Sequence, residues 1–250
     1  MQAEAPTLNI DGKVATITLN RPEKANRLNA DDLITMCKHI EVVNDAEAVQ
    51  VLCLQSRGKY FCSGYDITKL GGERKVDFED FANLLETARP VTVAIIHGGV
   101  YGGGTDMSLA CDFRLGAKGI NMFMPAARLG LHFYRAGMER YVSRLGLNAA
   151  KRLFLTAEQI ESEEMYAIGF LTHLATAEAL QAQADRLVDR IASMAPLAVL
   201  GMKKHLNAIS RHELDLSALQ QDIDRAKHSD DIKEGRAAWV EKRTPQFLGR

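Results

Sequence analysis

The chain has 250 residues, 46% of them hydrophobic and 25% charged, with a formal net charge of −1. That length and apolar fraction suffice for a full core in one main domain. The even spread of charge, without a basic block or an RNA-binding aromatic signature, excludes nucleic-acid binding driven by counterion release. No uninterrupted apolar run approaches membrane-spanning length, and the first residues lack a charged and then apolar leader, so an unexported cytoplasmic protein without membrane attachment is expected.

Leu8-Asn9-Ile10 and the run from Val14 to Leu19 alternate on either side of Asp11-Gly12 and predict a β-hairpin. Asn20 to Lys24 is a loop, and Asn29 is a good N-cap for a helix with Leu33, Met36, Ile40 and Val43 along its inner stripe. The run from Val51 to Gln55 has the length of a buried strand and leads into the turn Phe61-Cys62-Ser63-Gly64-Tyr65-Asp66. Asp77 to Ala88 reads as a helix that ends at the pre-proline Arg89. A second apolar strand, Val91 to Ile96, leads into the turn from Gly98 to Asp106, after which Met107 to Ala110 opens a buried helix. Asp112 to Leu115 and Asn121 to Met124 are strand-like. From Met138 onward the helical period dominates, with segments at Lys151–Leu155, Ala157–Gly169, Ala177–Met194, Pro196–Ser210, Glu213–Lys227 and Asp230–Lys242. The order predicts an α/β core over residues 1–195 and a C-terminal helical subdomain over 196–250 that covers the core or packs against another subunit.

Each of the two turns follows a predicted strand, so neighbouring strands would bring both to the same edge of a sheet. Glycine admits close backbone approach and positive φ, and a helix starting after Gly103 adds unpaired N–H groups and positive potential. Such donors stabilise the charge that develops on a carbonyl oxygen when a thioester becomes an enolate or a tetrahedral adduct. The glycines match no dinucleotide fingerprint, no P-loop and no nucleophile elbow. The four cysteines form no CxxC pair and the histidines no HExxH, so reduced thiols and no metal site are expected. Asp106, three residues after Gly103, falls in the first turn of the predicted helix, where a carboxylate either moves a proton or caps free N–H groups.

Asn20-Arg21-Pro22-Glu23-Lys24-Ala25-Asn26, Phe61 to Ile67, Gly102-Gly103-Gly104-Thr105-Asp106 with Ala110-Cys111-Asp112, Leu153 to Ala157, Ala167 to Leu171 and Glu241 to Phe247 resemble the crotonase (enoyl-CoA hydratase/isomerase) superfamily, in order along nearly the whole chain. The resemblance implies a crotonase-like ββα spiral, usually a homotrimer or hexamer, that binds acyl-CoA and stabilises a thioester enolate. It implies oxyanion donors at the backbone N–H groups of Tyr65 and Gly103, and proton transfer by Asp106. It also implies CoA contacts at Ala25, Tyr65, Asp66, Ile67 and Thr68, with Trp239 and Lys242 closing over CoA, often from a neighbouring subunit. Lys24, Arg27 and Lys69 are further candidates for the CoA phosphates on charge alone. No cofactor is implied beyond the coenzyme A of the substrate.

Two departures from the pattern bear on the reaction. Hydratases carry a second catalytic glutamate where this chain has Ala126, which leaves Arg128, His132, Tyr134 and Glu139 as nearby substitutes. Tyr65 replaces the usual small residue and, with Tyr101, Phe123 and Phe133, suggests a restricted pocket. The expected activity is of the enoyl-CoA hydratase/isomerase type. The alternatives are isomerisation, decarboxylation or thioester hydrolysis with one carboxylate, or acyl-CoA binding without catalysis.

Overall fold

The computed structural model describes residues 5–66 and 76–250. Strands β1 (Thr7–Asp11) and β2 (Val14–Leu19) pair antiparallel around a turn at Gly12 and Lys13, as the alternation predicts. Helix α1 (Ala30–Asp45) then returns the chain to β3 (Val51–Ser56), which lies parallel to β2. Its start is built as the sequence suggests: Asn29 Oδ1 accepts the Asp32 N–H at 2.9 Å and Asp32 Oδ2 accepts the Asn29 N–H at 2.9 Å. Arg21 completes this corner by donating to both Asp32 oxygens, at 2.5 and 2.9 Å, so the loop before α1 is tied to the helix it introduces.

Helix α2 (Phe78–Glu86) leads to β4 (Val91–Ile96), parallel to β3 in the register Val51 to Val91 through Leu54 to Ala94. All six residues of β4 are buried, which requires cover on both faces of the sheet. The short β5 (Val100–Tyr101) and α3 (Gly103–Ala110) follow, then β6 (Phe113–Ala117) and β7 (Asn121–Phe123). Helix α4 (Arg135–Thr156) is interrupted at Gly146, whose φ of 78° and ψ of 160° are not helical. Next come β8 (Ile160–Glu161), α5 (Ser162–Ala167), β9 (His173–Ala175) and α6 (Leu180–Ala192). Helices α7 (Pro196–Ser210), α8 (Leu216–Lys227) and α9 (Asp230–Glu241) end the chain's regular structure.

The main sheet has the order β1-β2-β3-β4-β6-β9, parallel except for β1, and a smaller sheet has the order β5-β7-β8. Helices α1 to α4 pack on one another, and α6 packs directly on β3, β4, β6 and β9. Three short strands depart from the sequence reading: β5 lies inside the second turn, β8 interrupts the expected helix Ala157–Gly169, and β9 precedes α6. Each has two or three residues, too few to show a period. Ala157 also closes α4 in a left-handed conformation (φ 49°), which prevents a helix from running through it.

Removing the cap acceptor with Asn29→Ala is expected to cost about 1 kcal/mol. The urea unfolding midpoint checks this, and an unchanged midpoint at constant m contradicts the capping role.

Candidate active site

Because β3 and β4 are parallel neighbours, the two glycine turns leave the same edge of the sheet and meet. They are joined as a short parallel ladder: Phe61 N–H donates to Gly99 O at 3.0 Å, and Tyr101 N–H donates to Cys62 O at 2.9 Å. Gly64, at φ 93°, is seated against the second turn so closely that a Cβ there would lie 2.9 Å from Tyr101 O and 3.0 Å from Gly103 N. Only glycine accommodates both that dihedral and that approach.

Leu28 fixes the direction of Tyr65. Its N–H donates to Gly64 O and its carbonyl accepts the Asp66 N–H, each at 2.8 Å. In a parallel bridge of this kind, the residue between the two bonded neighbours turns its own N–H and C=O the other way, here away from Leu28. Gly103 is the first residue of α3, where the N–H has no acceptor within the helix. Among the described residues neither amide has a backbone acceptor in the loops.

The starts of three helices converge here. The Phe78 ring, at the start of α2, lies where a Cβ on Gly103 would be, 2.9 Å from its Cζ, and Tyr65 meets Phe78 edge-on at 5.9 Å. Glu79 Oε1 accepts the Ala136 N–H at the start of α4, at 3.0 Å. Asp106, in the first turn of α3, accepts the hydroxyl of Tyr134 at 2.5 Å. Pro125 faces Gly102, which puts its neighbour Ala126 beside the second turn, where the family pattern has a carboxylate.

Asp106 acts as neither a helix cap nor an open base. It is fully buried; Arg140 Nε donates to Oδ1 at 2.9 Å, and Arg140 Nη2 and the Tyr134 hydroxyl both reach Oδ2, at 2.8 and 2.5 Å. The expected proton-transfer carboxylate therefore has both oxygens engaged. Arg140, also fully buried, donates onward to Asn83 Oδ1 at 2.8 Å and Glu86 Oε2 at 3.1 Å. Glu86 is in turn bound by Arg144 at 3.0 Å and by Arg211, the C-cap of α7, which also holds Glu139 at 2.7 Å. Burial opposes the charge on Arg140, yet the hydrogen bonds and charge of Asp106, with Glu86, hold its pKa above the ordinary value. Burial first, and then the charge and hydrogen bond of Asp106, raise the Tyr134 phenol well above the usual tyrosine range. A phenol so placed stays protonated and donates.

Of the substitutes that the sequence offers for the missing glutamate, Tyr134 is the one that reaches Asp106. Arg128 donates to Ala157 O, the exposed His132 donates to Phe133 O, and Glu139 pairs with Arg135 and Arg211. The buried Cys62 lies in the first turn, but burial pushes its thiol up to about 12, which rules out a thiolate nucleophile at neutral pH. Ala25 is left-handed (φ 50°) and its carbonyl accepts the Ser63 N–H at 2.9 Å, fastening the loop of residues 20–26 to the first turn. Asp66 pairs with Arg27 at 3.7 Å. Ile67 and Thr68, and with them Lys69, lie outside the described residues. Trp239 is 86% exposed on α9, and Lys242 is the left-handed C-cap of that helix. Sequence reasoning missed Arg140, Asn83 and Glu86, because nothing in the spacing of a lone arginine on a helix announces its partner. A groove between α2, α4 and α7 lies elsewhere, and Tyr65, Gly103 and Tyr134 do not line it.

A family model described as enoyl-CoA hydratase/isomerase matches residues 9–250. The crotonyl-CoA hydratase of Syntrophomonas wolfei subsp. wolfei is 29% identical over 100% of both chains. The carnitinyl-CoA dehydratase of Proteus mirabilis is 30% identical, covering 97% of this chain and 98% of that one. The crystal structure of an enoyl-CoA hydratase from Bacillus anthracis superposes with a TM-score of 0.87 at 28% identity, over 99% of this chain and 100% of that one.

Gly64→Ala is expected to push the two turns apart and to cost at least the roughly 1–2 kcal/mol of a left-handed non-glycine residue. Thermal unfolding together with acyl-CoA calorimetry checks this. A variant with wild-type stability and affinity shows that the close seating is dispensable.

Proposed function

The chain belongs to the enoyl-CoA hydratase/isomerase family and is an acyl-CoA enzyme of that type; from that premise we propose that the amides of Tyr65 and Gly103 jointly hold the thioester oxygen while the adjacent carbon passes through an enolate. The observation that carries this reading is the seating of Gly64 against Gly103 N, with Tyr65 N–H turned away from Leu28. Two rigid main-chain donors near one another need no reorganisation as negative charge grows on the oxygen. The start of α3 adds positive potential at the same place.

Pairwise hydration uses one carboxylate to position water and another to pass its proton. Here Ala126 supplies none, and the Asp106 carboxylate is held by Arg140 and Tyr134. That favours reactions needing a single proton-moving centre, double-bond isomerisation above all, over hydration. Asp106 serves in this centre as the fixed anion behind the proton-bearing group. The Tyr65 and Phe78 rings beside the two turns suit a restricted acyl group.

For the remainder of the substrate, Ala25 and Asp66 flank the seam between the 20–26 loop and the first turn, which suits the adenine and pantetheine arm of CoA; Ile67 and Thr68 are proposed as CoA contacts on the family pattern alone. Trp239 and Lys242, exposed on their own chain, suit the closing of CoA bound to a neighbouring subunit in a cytoplasmic homotrimer or hexamer. No cofactor beyond this coenzyme A is needed.

Replacing the Gly103 amide by an ester, through glycolic acid at that position, removes one donor and no side chain. Turnover on a panel of 2- and 3-enoyl-CoA thioesters is expected to fall about 10²- to 10³-fold, and unchanged turnover overturns the oxyanion role. Ala126→Glu restores a carboxylate beside the second turn and is expected to raise crotonyl-CoA hydration by roughly 10²-fold, the lower end of what a general base contributes. Hydration already at full rate in the unmodified chain, and indifferent to this change, contradicts the single-centre reading.

A further inference from the structure

We propose that the Tyr134 phenol is the group that delivers a proton to the enolate carbon, with Asp106 and Arg140 as its positioning residues. The assignment rests on the enolate reading above and deepens it by naming the proton donor. Three observations support it. Tyr134 immediately precedes α4, whose start meets that of α2 through Glu79 and Ala136, and α2 in turn places Phe78 on Gly103. Its hydroxyl lies 2.5 Å from the carboxylate of Asp106, which stands three residues after the second amide in the first turn of the helix that Gly103 begins. Arg140 alone already gives each Asp106 oxygen a donor, so the Tyr134 hydroxyl is not required to satisfy that carboxylate.

This redundancy allows a movement. A hydroxyl hydrogen rotates about its C–O bond, and when that of Tyr134 swings from Asp106 toward the substrate, Asp106 keeps two charged hydrogen bonds. The ring itself is restrained by its stack on Phe133 at 4.3 Å. In the chemical step the Tyr134 O–H bond breaks and a C–H bond forms at the enolate carbon. The electron pair of the enolate C=C becomes that C–H bond, the oxygen pair restores the thioester C=O, and Tyr134 is left as a phenolate. The enolate forms by the reverse of this step: the Tyr134 oxygen, as phenolate, takes the α-proton, the C–H pair becomes the enolate C=C and the carbonyl π pair moves onto oxygen. Solvent exchanges the proton on Tyr134 before it is returned, and in a 3-enoyl thioester its return at C4 instead of the α-carbon completes isomerisation. Burial and Asp106 hold the phenol well above its ordinary range, so the phenolate that takes the α-proton is a minor but strongly basic form.

The test follows deuterium incorporation at the α-carbon of butyryl-CoA, and conversion of 3-enoyl-CoA thioesters, in D2O. For Tyr134→Phe, exchange and turnover are expected to fall by about 10²-fold or more, while the Kd for butyryl-CoA by calorimetry stays within about threefold of wild type, since Arg140 still satisfies Asp106. Fluorotyrosine placed at position 134, a more acidic phenol of nearly equal shape, is expected to move the alkaline limb of the pH–rate profile to lower pH. A purely structural tyrosine would leave that limb in place. Retention of exchange in Tyr134→Phe, or an unmoved limb with fluorotyrosine, overturns the assignment while leaving the oxyanion reading intact. If the wild-type protein binds acyl-CoA yet neither exchanges nor converts it, the enolate reading fails and this assignment falls with it.

Discussion

The functional face of this protein depends on a short ladder of main-chain hydrogen bonds between two loops. Parallel pairing of β3 with β4 does not stop at the strand ends; it continues as Phe61 to Gly99 and Tyr101 to Cys62. Without that continuation, Gly64 would not be seated on the second turn, and the amides that follow each turn would have no fixed relation. Side chains contribute little to this seam. Chemistry built on backbone N–H groups tolerates wide sequence change, in keeping with relatives that are only 29–30% identical over almost the entire chain.

Behind the seam lies an interior of a different kind. Asp106 and Glu86 are buried acids, and Arg140 joins them from α4, with Arg144 and Arg211 completing the neutralisation. Taking such charges out of water costs several kcal/mol per ion, and good geometry only roughly offsets that cost. The network is therefore a poor source of net stability but a strong source of position, since removing one partner leaves another buried charge uncompensated. It fixes where α2, α3 and α4 begin relative to one another, and these three starts surround the site.

How much of this the chain declared in advance follows from the range of the interactions. The cap at Asn29, the two buried strands, both turns and the proline-led α7 are local in sequence and were legible. So was the meeting of the turns that carry Tyr65 and Gly103, because strand length and turn chemistry are also local. Asp106 was found and its neighbourhood was not: its partners stand 28 and 34 residues away on another helix, and no periodicity links them. The short strands β5, β8 and β9 were invisible for a related reason, being defined by pairing with distant segments rather than by their own pattern.

Arg211 ties this interior to time as well as space. Glu86 leaves the ribosome 125 residues before the guanidinium, at the C-cap of α7, that helps neutralise it. A nascent chain that has already made both glycine turns still carries an acid whose burial is incompletely compensated, which disfavours closing the interior early. The segment that carries Arg211 thus acts as a completion signal: the interior closes at low cost only once that segment has been made.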